Sequence, residues 1–326
     1  MDHNATTPVE PRVLEAMLPL FSEHFGNPAS RTHPFGWAAA RLVDLARQQV
    51  AAAISAGPEE IVFTSGATEA NNLAIKGIAA ALRDRGNHLV TCASEHRAVL
   101  DPCQRLAREG FAVTVLPVDG DGRVAAGQVA AALTDGTVLV SAMLANNEIG
   151  TLHPVAEIAA LCRERGVLVH CDATQAVGKV PVDVGALGVD LLSMSGHKVY
   201  GPKGIGALYM RRRRPRLVPA PLLDGGGHEQ GWRSGTLNVP GIVGLARALE
   251  VALADLEAES RRLGALRDRL QAGITGRLDG VVVNGHPVER LPNTVSLSFA
   301  GVDGNALLVG LREVAVSSGS ACTSAD

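Results

Sequence analysis

The chain is predicted to fold as an α/β protein with a large, mostly parallel sheet and a smaller α+β part, and two observations predict this. From about residue 58, short runs rich in Val, Leu and Ile alternate with helix-like stretches, as expected of strands buried on both faces beneath helices. After Pro240 the pattern becomes a long, charged, Leu- and Ala-rich helix to about Arg277, followed by two more apolar runs. That change marks a second unit. The expected division gives a large domain over 12–250 and a small one made of 1–11 and 251–326.

The strand candidates, in order, are Ile61-Val62-Phe63, His88 to Thr91, Val113-Thr114-Val115, Val138-Leu139-Val140, Val167-Leu168-Val169 and Leu191-Leu192-Ser193. Gly201-Pro202-Lys203-Gly204 reads as a turn leading into a seventh, Ile205 to Met210. In the second unit, Val281-Val282-Val283 and Asn293 to Phe299 read as strands.

The 326 residues are 46% hydrophobic and carry a formal net charge of -3, so no global basic field recruits nucleic acid or an anionic membrane. Arg211 to Arg214 is a local charge block at a strand end, read as a solvated turn. No run approaches the roughly 20 apolar residues of a membrane span, and Met1-Asp2-His3-Asn4 does not open like a secretory signal. A cytoplasmic protein is expected. The five cysteines, at 92, 103, 162, 171 and 322, form neither CxxC pairs nor a disulfide scaffold. Cys92, Cys103 and Cys162 lie in apolar or helical surroundings and read as buried thiols.

Lysine is rare here: the chain has four, at 76, 179, 198 and 203. Lys198 sits in the constrained turn Ser195-Gly196-His197-Lys198, and a crowded, desolvated amine is the kind that can attack an aldehyde. A surface lysine in a turn is the plainer reading of that tetrapeptide. Asp172, in His170-Cys171-Asp172-Ala173-Thr174-Gln175, falls at a strand's carboxyl end. A carboxylate there can keep a pyridine nitrogen protonated, or simply cap a helix. Gln175 can donate to a ring oxygen.

Thr64-Ser65-Gly66-Ala67-Thr68-Glu69 follows the first strand and opens a helix, so free backbone N–H groups and the hydroxyl of Thr68 can face an anion. An ordinary cap by Ser65 or Thr68 with Glu69 explains the helix start equally well. His96 follows the next strand, where an imidazole can stack on a planar ring, though a lone His is commonly structural. The glycine-rich stretch from Gly225 to Thr236 lets backbone approach a ligand, with Arg233 and Thr236 as candidate anion contacts, or forms a surface loop. Ser317 to Ser324 places Cys322 among small polar residues, the setting of an accessible, reactive thiol.

Together these segments resemble the cysteine desulfurases, and the likeness runs through essentially the whole chain. It rests on Asn4-Ala5-Thr6-Thr7-Pro8, Phe25 to Ser30, the Thr68 turn, Asn146-Asn147-Glu148-Ile149-Gly150, Asp172 to Gln175, the Lys198 turn, Arg233 to Thr236 and the Cys322 loop. The form of that last loop is similar to the housekeeping branch that supplies iron–sulfur clusters.

The resemblance implies the aspartate-aminotransferase type of fold (type I of the pyridoxal-phosphate enzymes) and a homodimer. Pyridoxal 5'-phosphate would be held on Lys198, with His96 stacked on the ring. Asp172 and Gln175 would hold the ring nitrogen and oxygen, and Thr68, Ser195 and His197 the phosphate, with Ala67 also among the cofactor-binding residues. Thr236 would reach the partner subunit's site, and Asn147 would lie between ring oxygen and substrate carboxylate. L-cysteine is the implied substrate, with Cys322 taking its sulfur for an acceptor protein such as an iron–sulfur scaffold.

The family continues well beyond the position of Asp326 and carries there an arginine for the substrate carboxylate. On that basis weaker cysteine binding is expected, by roughly 2 to 4 kcal/mol. The rival readings are a weak or inactive homologue serving as a dimerising or interaction protein, and a selenocysteine lyase.

Overall fold

A computed structural model describes residues 2–212 and 217–319. Each of the seven expected strands of the first unit forms: β1 (Ile61–Thr64), β2 (His88–Cys92), β3 (Ala112–Leu116), β4 (Thr137–Ser141), β5 (Leu168–Asp172), β6 (Leu191–Ser195) and β7 (Gly206–Met210). They build one sheet in the order β1-β7-β6-β5-β4-β2-β3. β7 runs antiparallel to both its neighbours and every other adjacent pair is parallel.

Leu139, Leu168 and Leu191 pack to one face against Leu73, Ile75, Ile78, Val99 and Leu106, from the helical stretches 67–81 and 97–108. Val140, Val169 and Leu192 pack to the other against Val43, Val50, Ile158, Ile242 and Leu245. Burial of both faces is what unbroken apolar strands require. Only β3, at the sheet's edge, is half-exposed.

β1, β2, β4, β5 and β6 all point the same way, so their carboxyl ends share one edge of the sheet. The segments beginning at Ser65, Ala93, Ala142, Ala173 and Gly196 therefore converge there, where open α/β sheets bind ligands.

The expected single helix from Pro240 to Arg277 is two, Val239–Ala254 and Leu256–Thr275. Asp255 breaks it with φ -126° and ψ 26°. The two halves face different surroundings: Ile242, Leu245 and Leu249 bury the first against the sheet, whereas the second buries no residue fully. The last two strands, β8 (Val281–Asn284) and β9 (Ser296–Phe299), pair antiparallel. The intervening segment docks on the large sheet's turn, where Leu152 N donates to Glu289 O at 2.9 Å and Leu291 N to Gly150 O at 2.8 Å.

Candidate active site

The shared strand edge opens into a cleft of about 1660 Å³ whose walls include Ala67, Thr68, His96, Asn147, Asp172, Gln175, Ser195, His197 and Lys198. Nine of the twelve residues singled out from the sequence thus meet in one place. Thr236 is exposed and does not line this cleft. Cys322 lies outside the described residues.

Asp172 ends β5, 5% exposed, and accepts Asn71 Nδ2 at 2.7 Å and Thr174 N at 2.9 Å. It therefore holds the local turn and keeps a carboxylate at the cleft wall. Behind it Glu95 is buried, with Met143 N donating to it at 2.5 Å. Burial, and then the charge of Asp172, push the Glu95 carboxyl well above its usual range. His170, within β5, is bridged by Ser141 Oγ at 2.8 Å and Ser193 Oγ at 2.9 Å. Burial lowers it to about 4, so it is neutral at physiological pH.

His96 accepts Ala98 N on Nδ1 at 3.0 Å, capping the helix Arg97–Arg108. That role fixes the ring and leaves Nε2 to carry the proton when the imidazole is neutral. The structural and cofactor readings of His96 are thus compatible.

The helix after β1 starts at Ala67, its N-cap is Gly66, and no side chain caps it. Neither Ser65 nor Thr68 plays the cap; Glu69 instead reaches back to Ser65 N at 2.7 Å. The helix start is left open toward the cleft, a favourable place for an anion. Space there is tight: a Cβ on Gly206 would come within 2.7 Å of the Gly66 backbone.

Lys198 donates to two backbone carbonyls of the N-terminal segment, Asn4 O and, at 2.9 Å, Ala5 O. Thr7 secures the same segment from the other side, its N and Oγ1 each donating to His197 O at 3.0 Å. His197 Nδ1 lies 3.1 Å from Thr6 Oγ1, and burial together with the charges of Lys198, Lys203 and Lys179 lowers the imidazole to about 4. Asn4 continues outward: its Nδ2 donates to Thr294 Oγ1 at 3.0 Å and its Oδ1 accepts Asn293 Nδ2 at 3.1 Å. One residue thus links the lysine turn to the β8–β9 unit.

Sequence reasoning passed over Lys179. Its ammonium turns into the cleft wall and donates to Gln175 Oε1 at 2.5 Å. Burial and the neighbouring Lys198 charge lower Lys179 to about 7. The signal available was the rarity of lysine in a chain rich in arginine.

Arg233, expected as an anion contact, is instead paired with Glu69, Nε to Oε1 at 2.7 Å. A carboxylate already beside the guanidinium outcompetes a ligand for it. The pair ties the glycine-rich loop to the helix start. Among the described cysteines, Cys92, Cys103, Cys162 and Cys171 are all buried. Burial raises each thiol, Cys103 and Cys162 to about 12, so none is a ready nucleophile. No group of three or more metal-ligating side chains gathers among the described residues, and none of their helices is long and apolar enough to cross a membrane.

A profile of the class-V aminotransferases matches residues 1–325. The chain belongs to the aminotransferase class-V family. It is similar over its whole length to "Cysteine desulfurase IscS" of Anaeromyxobacter dehalogenans (strain 2CP-C), 56% identical over 325 residues and 80% of that protein. The same-named protein of Rickettsia peacockii (strain Rustic) is 51% identical, with 79% of it covered. Among solved structures, a "NifS-like protein" superposes with TM-score 0.90 at 40% identity, over 95% of this chain and 84% of that one. "SspA in complex with cysteine" gives 0.87 at 38% identity, over 98% and 89%.

The family's cofactor is pyridoxal 5'-phosphate, and the cleft fits it. An uncapped helix start suits a phosphate, a carboxylate at the end of β5 suits a pyridinium nitrogen, and an amine suits an aldehyde. Thr174 Oγ1 and Asn71 Oδ1 are buried beside Asp172 with no partner among the described residues.

Proposed function

We propose that this chain is a cysteine desulfurase, removing sulfur from L-cysteine and leaving L-alanine and a persulfide on Cys322. The observation that carries the proposal is the convergence of Lys198, Asp172 and the open helix start at Ala67 in one cleft, joined to full-length similarity to proteins bearing that name.

In this reading Lys198 holds the cofactor, Asp172 and Gln175 face its ring nitrogen and oxygen, and His96 stacks on it. Ala67, Thr68, Ser195 and His197 surround its phosphate. Once bound, the cofactor acts as the sink for electrons released at the substrate's α-carbon. The Lys198 amine takes the α-proton, and Asn147 faces the substrate carboxylate. The Cys322 thiolate attacks the substrate sulfur; an S–S bond forms, the Cβ–S bond breaks, and its electron pair stays with the β-carbon, which is protonated; return of the α-proton then gives alanine. The persulfide then passes to an acceptor protein such as an iron–sulfur scaffold.

The proposal includes a cytoplasmic homodimer in which Thr236 completes the partner's site. Leu18, Phe21, Phe25, Phe35 and Trp37 are all more than half exposed, an apolar surface of the kind that self-association covers. The large and small domains are taken as 12–250 and 1–11 with 251–326, bridged by Asn4.

Two variants test the chemistry. Lys198→Ala should lose the visible absorbance of the cofactor, and Cys322→Ala should keep that absorbance but release no alanine from cysteine. Alanine production by the Cys322 variant at the wild-type rate would overturn the thiol's role.

A further inference from the structure

We propose that Lys179 is a positioning residue that sets which end of the Gln175 amide faces the cofactor. The inference rests on the proposed pyridoxal-phosphate site and goes beyond it by adding a residue that acts through Gln175.

An ammonium has hydrogen-bond donors and no acceptor. In the ammonium form Lys179 can only donate, and the Gln175 atom facing its Nζ at 2.5 Å is the carbonyl oxygen. The NH₂ end is then turned the other way, and its Nε2 donates to Asn4 O at 3.0 Å. Lys198 donates to the same Asn4 carbonyl, so the amide donor of Gln175 and the cofactor lysine are brought to a single oxygen. Without Lys179 the bond to Asn4 O alone opposes a half-turn of the amide, whose two ends have nearly the same shape. It would then present an acceptor where the ring oxygen, itself an acceptor, needs a donor.

Lys179 is held in place for this task. It follows Gln175 by one helical turn's spacing, its own carbonyl accepts Ser260 Oγ at 2.8 Å, and Gly178 beside it has φ +75°, where a Cβ would come within 2.4 Å of Val199. No carboxylate is paired with it among the described ion pairs; the charge that acts on it is that of Lys198. A lysine kept there against a like charge costs stability, and a positioning role accounts for that cost.

The test compares Lys179→Met, which removes the donor, with Lys179→Arg, which keeps one, in the cofactor-loaded protein. Cofactor retention through gel filtration and the pH midpoint of the bound cofactor's visible absorbance are read in each. Lys179→Met should release cofactor at least about fivefold faster and move the midpoint upward by about half a unit or more, with Lys179→Arg restoring most of both. A second comparison in a Gln175→Ala background separates positioning from a direct effect of charge. There Lys179→Met should produce no further change. An equal change in that background, or none in the wild-type background, overturns the proposal. Failure of the wild-type chain to bind pyridoxal phosphate at all would instead overturn the underlying assignment of the site. If Lys179→Met does not fold, Lys179→Gln, which can supply either amide end, takes its place with an intermediate effect expected and an unchanged midpoint again counting against the role.

Discussion

The guanidinium of Arg47 grips the carboxylate of Glu229 at two points, 2.8 and 2.6 Å, with Phe63 N donating to the same carboxylate at 2.8 Å. Arg47 also donates to Ile61 O at 2.7 Å and lies 4.6 Å from the Phe63 ring centre. One buried ion pair thus fastens the glycine-rich loop bearing Thr236 to β1. Glu229→Ala strands the guanidinium, and losing one partner of such a pair costs about 3–5 kcal/mol. A drop of at least about 5 °C in melting temperature is expected; an unchanged melting curve would show that the loop is held by other contacts.

Gly206 is needed for space, not for an unusual backbone angle. A Cβ there would lie 2.6 Å from Met194 O and 2.7 Å from the Gly66 backbone, so Gly206→Ala must push β7 and the helix start apart. About 1–3 kcal/mol of stability should be lost. Because the displaced backbone is the proposed phosphate cradle, pyridoxal-phosphate affinity measured by fluorescence titration should fall as well. Wild-type affinity in a destabilised variant would separate the cradle from the cofactor.

The fold should weaken in acid. His153, His170 and His197 are each lowered from 6.5 to about 4, chiefly by burial. Between those values the unfolded chain binds protons that the folded chain refuses, so stability falls as pH drops from about 6.5 toward 4. His170, fully buried between Ser141 and Ser193, should contribute on the order of 3 kcal/mol of this. Urea midpoints of His170→Gln over that range should slope less than those of wild type; parallel slopes would remove His170 from the account.

Lys179 predicts the opposite end of the pH scale. Its amine is lowered from 10.5 to about 7. Below about 7 it is charged in both folded and unfolded states, and the cost of burying that charge beside Lys198 is felt in full. Between about 7 and 10.5 the folded state gives up its proton first, and stability recovers. Cofactor-free Lys179→Met should therefore melt above wild type at pH 6–7, with the gap closing by pH 10. A constant gap would mean that Lys179 is neutral, or well solvated, throughout.

Much of the site was legible because its residues follow strands. Asp172, His96, the turn at Ala67 and Thr68, and Lys198 each come directly after an apolar run, and in a parallel sheet such positions converge. Arg233 was misread because the sequence shows a cation but not the Glu69 carboxylate that engages it, 164 residues away. The helix break at Asp255 was missed because neither Pro nor Gly marks it. Its cause is the change of surroundings between a buried and an exposed half.

By itself the sequence determined the sheet, since apolar runs of four or five residues can be satisfied only by burial on both faces, and it determined which side chains stand at the ends of those strands. Tertiary structure alone decided how they are held. Asn4 and Lys198 are 194 residues apart, and Arg47 and Glu229 are 182 apart. No local pattern encodes such contacts, which exist only because distant segments pack on one sheet edge. Lys179 shows the same principle at short range: four residues from Gln175, it could point to solvent or into the cleft. Its backbone carbonyl accepts Ser260 Oγ from the helix Leu256–Thr275, and its ammonium meets Gln175 in the cleft wall.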